Sequence, residues 1–260
     1  MNGISVITIA FNNLTDVQKT CASVDAQSMS PQEHWIINGS TQTDIANWLE
    51  TNPQPAYRKW INERDKGIAD AFNKGIRHAA GPVTHLLNSG DIYASTDIIK
   101  TIAAFFLQYP EVQWISGNIE LTRGGEKVVV GKPFEPSKLY RGMRSISHPT
   151  WFVNKAVYDR VGGYLPDYKI AMDYDMLCRL GKEPYQYLPI TIAIFDDTGV
   201  SSTAYLKSLD ENRKVFESHF GPSLKQRLWQ LRLKALHYLL QSGFGQWMFR
   251  LKKKVGLENW

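Results

Sequence analysis

Through residues 1–120, short β-branched runs alternate with segments of helical periodicity, and that alternation leaves few folds open. Ser5–Ala10 predicts a strand, and Asn12-Asn13 supplies capping chemistry for a helix near Leu14–Ala26. His34–Asn38 repeats the pattern, with a Gly-Ser-Thr turn and a helix near Asp44–Glu50. Tyr57–Ile61, Val83–Leu87 and Val112–Ser116 read as further strands, and Ile68–His78 and Thr96–Gln108 as further helices. Strands and helices alternating at these lengths imply βαβ units and a largely parallel sheet, an α/β fold.

After Gly117 the pattern changes. Ile119–Thr122 and Lys127–Val130 flank Gly124-Gly125 and predict a hairpin. A loop rich in proline and bases runs from Gly131 to Arg144, long enough to move over a site. Then come a strand-like His148–Val153, a helix near Lys155–Val161, a Gly162-Gly163 stop, a helix starting near Asp173 and a β-prone Tyr185–Phe195. From Ser202 onward the chain reads as helical, broken at Gly221-Pro222 and Ser242-Gly243.

Composition excludes several classes. Hydrophobic residues are 43% and charged residues 21% of 260, the balance of a globular chain. No apolar run approaches the roughly 20 residues of a spanning helix, and Met1-Asn2-Gly3 has no basic region to begin a secretory signal. Cys21 and Cys178 are too few for a disulfide framework or a zinc site and read as buried thiols of a reducing compartment.

Ligands of an open α/β sheet bind at the carboxyl ends of its strands, so the residues after each strand are the informative ones. These are Ala10-Phe11-Asn12-Asn13, Asn38-Gly39-Ser40-Thr41, Asn62-Glu63-Arg64-Asp65-Lys66-Gly67 and Asn88-Ser89-Gly90-Asp91. Together they predict a polar rim along one edge of the sheet. Neither Gly-x-Gly-x-x-Gly nor a P-loop follows the first strand, which disfavours a dinucleotide enzyme and a P-loop NTPase. A bound phosphate would instead need a divalent cation, Mg²⁺ or Mn²⁺, held by one or two carboxylates such as Asp91.

Glu63-Arg64-Asp65-Lys66-Gly67-Ile68-Ala69-Asp70-Ala71-Phe72-Asn73-Lys74-Gly75-Ile76 resembles the E-x-D-x-G-I-x-D-A-x-N-K-G-I segment of family-2 glycosyltransferases, and Leu86-Leu87-Asn88-Ser89-Gly90-Asp91 resembles the L-N-S-G-D that follows it. Ser5–Asn12 is similar to the first strand and nucleotide-contacting turn of that family. Ser147-His148-Pro149-Thr150-Trp151-Phe152, Val161-Gly162-Gly163-Tyr164, Asp173-Tyr174-Asp175 and Thr198-Gly199-Val200-Ser201-Ser202 follow in its order. The resemblance covers about residues 3–217 and is nearest to transferases of colanic-acid, O-antigen and capsule assembly.

The resemblance implies a GT-A fold with a Rossmann-like, mostly parallel sheet, a nucleotide-sugar donor, a divalent metal (Mn²⁺ or Mg²⁺) and inversion at the anomeric carbon. It implies donor contacts from Phe11, Asn12, Asn38, Asp65, Asn73, Asn88, Ser89 and Gly90. Asn12 and Asn38 would lie near the nucleoside, and Asp65 beside the base or ribose. Asp91 would hold the metal, with His148 at the metal or the diphosphate unless it merely precedes Pro149 in a turn. Asp173 matches the general base. Asp173 and Asp175 open a helix at i and i+2, so they point apart and only one can face an acceptor. The loop bases Lys132, Lys138, Arg141 and Arg144 could close over the diphosphate, and Glu63 and Asp70 could simply pair with Arg64 and Lys74.

Two positions depart from the family pattern. Asn38 stands where relatives carry the first acid of D-G-x-S-x-D, and Asn118 also replaces a commoner Asp. Both keep open a non-catalytic nucleotide-sugar-binding scaffold of a polysaccharide assembly complex. A nucleotidyltransferase would need a Gly-rich basic loop where Asn12-Asn13-Leu14-Thr15 stands.

The bases cluster at the end of the chain. From Gly221 onward Lys225, Arg227, Arg232, Lys234, Arg250 and Lys252-Lys253-Lys254 face Glu258 alone. Leu224, Leu228, Leu231, Ala235 and Leu239 share a helical face, and Phe244, Trp247, Met248 and Leu251 precede the triple lysine. That pattern predicts amphipathic helices on an anionic lipid surface, or else packed on the domain or in a dimer. The expected organisation is a catalytic domain over 1–205, with a nucleotide-sugar half to about 118 and an acceptor half from 119, and a basic helical tail over 206–260. The expected protein moves a sugar, from a UDP-sugar foremost, to a polyprenyl-diphosphate-linked or glycan acceptor. It would do so at the cytoplasmic face of the cell membrane in surface polysaccharide (lipopolysaccharide, O-antigen or capsule) synthesis, with no role for nucleic acid.

Overall fold

In a computed structural model of the chain, which describes residues 3–123, 125–143, 146–195 and 205–242, strand β1 (Ile4–Ala10) is an interior strand of one sheet. Its side chains are buried on both faces, which explains a nearly continuous β-branched run in place of an alternating one. The chain leaves β1 through helix α1 (Leu14–Asp25) to β2 (Glu33–Asn38), then through α2 (Asp44–Thr51) to β3 (Arg58–Asn62). Helix α3 (Ile68–His78) then carries it back to β4 (Val83–Leu86) on the other side of β1. All four strands are parallel in the order β3-β2-β1-β4. A topological switch therefore falls between β1 and β4, where such sheets open a crevice.

Helix α3 lies close against this sheet because Gly75 permits it. A Cβ there would stand 2.3 Å from Ile7 Cγ2.

Among the described residues the remaining strands complete a nine-stranded mixed sheet, in the order β3-β2-β1-β4-β8-β6-β9-β5 with β7 beside β6. These are β5 (Ile92–Tyr93), β6 (Trp114–Arg123), β7 (Glu126–Val130), β8 (Phe152–Asn154) and β9 (Tyr185–Ile194). Helices α4 (Ile98–Gln108), α5 (Lys155–Val161) and α6 (Met172–Leu180) flank it, followed by α7 (Tyr205–Phe220) and α8 (Leu224–Gln241). The two-residue β5 escapes the sequence pattern because it is too short to carry a period. The break expected at Gly117 is instead a bulge within a continuous β6, since Gly117 lets β9 approach. The strand expected from His148 begins only at Phe152. Pro149 instead starts a 3₁₀ turn over His148–Thr150.

Cys21 and Cys178 are buried free thiols, as expected, and burial pushes their pKa values up to about 11 and about 12. Helix α7 buries Leu209, Val215 and Phe216, the last two in the same core as the α6 residues Met176, Leu177 and Leu180.

Candidate active site

The polar rim forms where β1, β2 and β4 end. Asn12 adopts φ 55, a left-handed conformation that asparagine tolerates. Its Oδ1 accepts from the backbone N–H groups of Thr41 (2.9 Å) and Gln42 (3.1 Å), and its own N–H donates to Ser40 Oγ (2.8 Å). Asn13 Nδ2 donates to Ser89 Oγ at 2.6 Å, which ties the first strand end to the fourth across the switch. Phe11 projects from the rim, 61% exposed.

Asn38 is buried. Its Oδ1 accepts from Ser40 N (3.1 Å) and its Nδ2 donates to Asn62 Oδ1 (2.9 Å), so its amide shapes the β2 and β3 loop ends. An aspartate could accept from Ser40 but could not donate to Asn62.

Asp65 crosses over Gly39, where a Cβ would stand 2.0 Å from Asp65 Oδ2. Its Oδ1 lies 2.9 Å from Lys74 Nζ, which also meets Glu63 (3.2 Å), Asp70 (3.7 Å) and the Arg64 carbonyl (2.7 Å). The two carboxylates expected to pair with Arg64 and Lys74 thus both meet Lys74. Burial outweighs that lysine and raises the Asp65 carboxyl above the usual aspartate range.

A second group of residues lies at the end of β4. Gly90, at φ 100, turns the chain, and the Thr20 hydroxyl holds the turn by accepting from Gly90 N (3.0 Å) and donating to the Asp91 carbonyl (2.8 Å). Beside it, His148 lies between Asn88 Nδ2, 3.1 Å from its Nε2, and Asp173 Oδ2, 3.1 Å from its Nδ1. Burial lowers the His148 pKa, but Asp173, by its charge and its hydrogen bond, and the charge of Asp91 outweigh it and raise the pKa above the ordinary value. Two oxygens flanking this imidazole, Asn88 Oδ1 and Asp173 Oδ1, are buried and have no hydrogen-bond partner. Orphaned acceptors of this kind mark where a hydroxyl or a cation would complete the site.

These residues fit a hard divalent cation. The Asp91 carboxylate and the open Asn88 oxygen are the donors Mg²⁺ and Mn²⁺ prefer, and substrate phosphates commonly fill the remaining positions. Among the described residues no three His, Cys, Asp or Glu side chains converge into a complete metal cage.

Asp173 and Asp175 point apart, as their spacing requires. Asp175 is buried, with Arg179 at 2.5 Å and His219 at 2.8 Å on its two oxygens, while Arg179 Nη1 donates to the carbonyls of Val161, Gly162 and Gly163. Asn73 clamps the same corner. Its Nδ2 donates to the Tyr164 carbonyl (2.8 Å) and its Oδ1 accepts from Tyr164 N (2.7 Å). Both ends of that amide are thereby occupied by the Tyr164 backbone. Tyr164 packs on Phe72, and Phe72 on His148, with ring centroids 4.9 and 5.8 Å apart.

Sequence reasoning does not find Thr20 or Glu211. Glu211, on α7, accepts from Ile170 N (2.8 Å) and Ala171 N (2.9 Å) and so fixes the start of the helix that presents Asp173. Neither residue belongs to a local motif.

The loop bases Lys132, Lys138 and Arg141 line a cavity of about 330 Å³, together with Phe134, Leu139, Glu135 (paired with Lys138 at 2.5 Å) and Leu177, one turn beyond Asp173 on α6. Arg144, Thr198–Ser202 and the residues after Ser242 lie outside the described residues.

A sheet with a parallel β3-β2-β1-β4 half and a polar crevice at its switch is the arrangement of the GT-A fold, and comparison with known proteins agrees. Residues 5–160 match the model of glycosyl transferase family 2, and the chain belongs to that family. It is 32% identical over 203 residues to an uncharacterized glycosyltransferase of Mycobacterium tuberculosis, a match covering 76% of this chain and 77% of the relative. Among solved structures it resembles a mannosyltransferase from Pyrobaculum calidifontis in complex with GDP-Man and Mn²⁺, with TM-score 0.60, 15% identity and coverage of 98% of this chain and 81% of the other. It also resembles S. aureus TarS residues 1–349 in complex with UDP-GlcNAc, with TM-score 0.59, 13% identity and coverage of 88% and 70%. Among the described residues no helix is long and apolar enough to cross a membrane.

Proposed function

We propose that this glycosyltransferase transfers one sugar, from a UDP-sugar foremost, to a hydroxyl of a lipid-linked or oligosaccharide acceptor, with inversion and with Asp173 as general base. The observation that carries this reading is the state of the Asp173 carboxylate. One oxygen is fixed by His148 and the other is buried without a hydrogen-bond partner. A hydroxyl placed there would donate to Oδ1. As its oxygen bonds to the anomeric carbon, the bond from that carbon to the phosphate oxygen breaks. The nucleoside diphosphate leaves with the electron pair, and the proton passes to Asp173. Such a base typically contributes about 10²–10⁴-fold.

The donor would lie over the rim of Phe11, Asn12, Asn38, Asp65, Asn88, Ser89 and Gly90. The GDP-Man and UDP-GlcNAc complexes of the two structural neighbours support a nucleotide-sugar there. A divalent cation, Mn²⁺ or Mg²⁺, would be held by Asp91, with Asn88 and His148 beside it, and when bound would stabilise the negative charge growing on the diphosphate. The cavity beside α6 is lined by Lys132, Arg141 and a Lys138–Glu135 ion pair, and its two remaining bases would suit an anionic acceptor such as a polyprenyl diphosphate-linked glycan. That acceptor places the enzyme at the inner face of the cell membrane, in surface polysaccharide synthesis.

The test is release of nucleoside diphosphate from UDP-, GDP- and dTDP-sugars with Mn²⁺, by the native chain and by Asp173→Asn. Metal-dependent release from one donor, lost in the variant, supports the reading. Equal release by both proteins removes Asp173 as the base.

A further inference from the structure

Helix α8 turns Gln226 and Gln230 inward, beside the partly buried Trp229 and Leu233. Gln226 and Gln230 are its buried residues, and their amides donate to the carbonyls of Asn212 (3.4 Å) and Leu209 (2.7 Å) on α7. Leu224, Leu228 and Leu231 on the opposite side are 73%, 58% and 64% exposed, and Leu239 is exposed beyond them. At 3.6 residues per turn these leucines form one stripe about 80° wide. A helix whose leucine stripe served to seat it on its domain would turn that stripe inward.

Bases border the stripe on both sides, Lys225 and Arg232 along one edge and Arg227 and Lys234 along the other, and Leu224–Gln241 contains no acid. Two of these cations have partners on α7, Lys234 with Asp210 at 2.9 Å and Arg227 with Glu217 at 3.5 Å. Lys225 lies over the Tyr140 ring and Arg232 over Trp229.

We infer that α8 is an interfacial helix that lies in the surface of an anionic membrane, leucines in the acyl boundary and bases among the lipid phosphates. An apolar stripe bordered by cations matches that environment on both counts. A second copy of the chain matches it poorly, since apposed stripes would bring the four bases near their own counterparts. The seating also has a consequence for the site. Arg141, which lines the cavity beside α6, stacks on Trp229 of α8 at 5.1 Å. A bound α8 thus holds the basic cavity near the lipid surface, where a lipid-linked acceptor would present its phosphates. That last consequence rests on the proposed transferase reading, whereas membrane binding does not.

The full chain should be tested for co-sedimentation with phosphatidylcholine vesicles, with and without phosphatidylglycerol. No donor or acceptor is present, so the outcome is independent of the transfer reaction. The native chain should partition to the anionic vesicles and be released by salt. Leu228→Asp/Leu231→Asp should weaken partitioning about tenfold or more, since it removes two apolar side chains from the buried stripe. Lys225→Glu/Arg232→Glu should abolish the preference for anionic lipid. The melting temperature of the leucine variant should be unchanged, because both positions are exposed. Three results would overturn the inference: native chain left in the supernatant, variants that bind as the native chain does, or a lipid-free dimer that Leu228→Asp/Leu231→Asp dissociates.

Discussion

His148 Nδ1 lies 3.1 Å from Asp173 Oδ2, and two separate devices bring the pair together. The 3₁₀ turn begun at His148-Pro149 presents the imidazole beneath the crevice. Glu211 fixes the backbone before α6, which presents the carboxylate. The contact fixes one oxygen of Asp173 and leaves the other buried without a hydrogen-bond partner.

Asp173→Asn should lower kcat by about 10²–10⁴-fold while donor affinity is retained, because the amide keeps the shape of the carboxylate but accepts no proton. Steady-state turnover and calorimetric donor titration separate the two effects. Near-native turnover would dismiss Asp173 as the base.

Glu211→Gln should act on the same step from a distance. The carboxylate accepts from two backbone N–H groups, and weakening both should cost about 1–3 kcal/mol of stability. Because the loss falls at the start of α6, kcat should fall with little change in the KM for donor. A melting curve and a kinetic run on one preparation check both parts.

Asn73→Leu separates two roles for that residue. As a clamp on Tyr164, its loss leaves a buried N–H and carbonyl unpaired and should cost about 1–3 kcal/mol, with donor affinity retained. Loss of donor binding at an unchanged melting temperature would instead make Asn73 a donor contact.

Acid should destabilise the fold through two buried histidines. His85 accepts from Tyr93 OH and donates to the Pro149 carbonyl, and burial lowers its pKa from 6.5 to about 3. His34, between Thr8 and Arg58, is lowered well below 6.5 by burial and by the arginine charge. The native state refuses protons that the unfolded chain accepts, so this contribution is complete above pH 6.5 and is lost as pH falls toward 3. Each proton adds a slope of up to about 1.4 kcal/mol per pH unit. His148 has the opposite sign. Its raised pKa gives stability that is complete below 6.5 and is lost as pH rises through the folded value. Denaturant unfolding across pH 4–6.5 should show a shallower slope for His85→Gln than for the native chain.

Much of the fold and of the rim is legible in the amino-acid sequence, for identifiable reasons. Helices Ile68–His78 and Lys155–Val161 are placed to the residue because apolar spacing and flanking glycines mark their ends. The rim is legible because strand ends follow from strand periodicity. Long-range contacts are not. Thr20 reaches the β4 turn, and Glu211 reaches the start of α6, through pairings that no local pattern encodes. The departure at Asn38 is intelligible only from the fold, in which its amide donates to Asn62, a bond an aspartate could not make. The leucine stripe of α8 is visible in sequence, but its outward direction is not, since periodicity gives a helix two faces without saying which one is buried.

The most direct measurement is a thermal-unfolding screen of the native chain with UDP-, GDP- and dTDP-sugars, each with and without Mn²⁺. A ligand at 100 times its Kd adds about 2.7 kcal/mol to native stability. One nucleotide-sugar should raise the melting temperature, and do so only with the metal. If no nucleotide-sugar shifts the transition with or without Mn²⁺, the donor site proposed at the switch between β1 and β4 is contradicted.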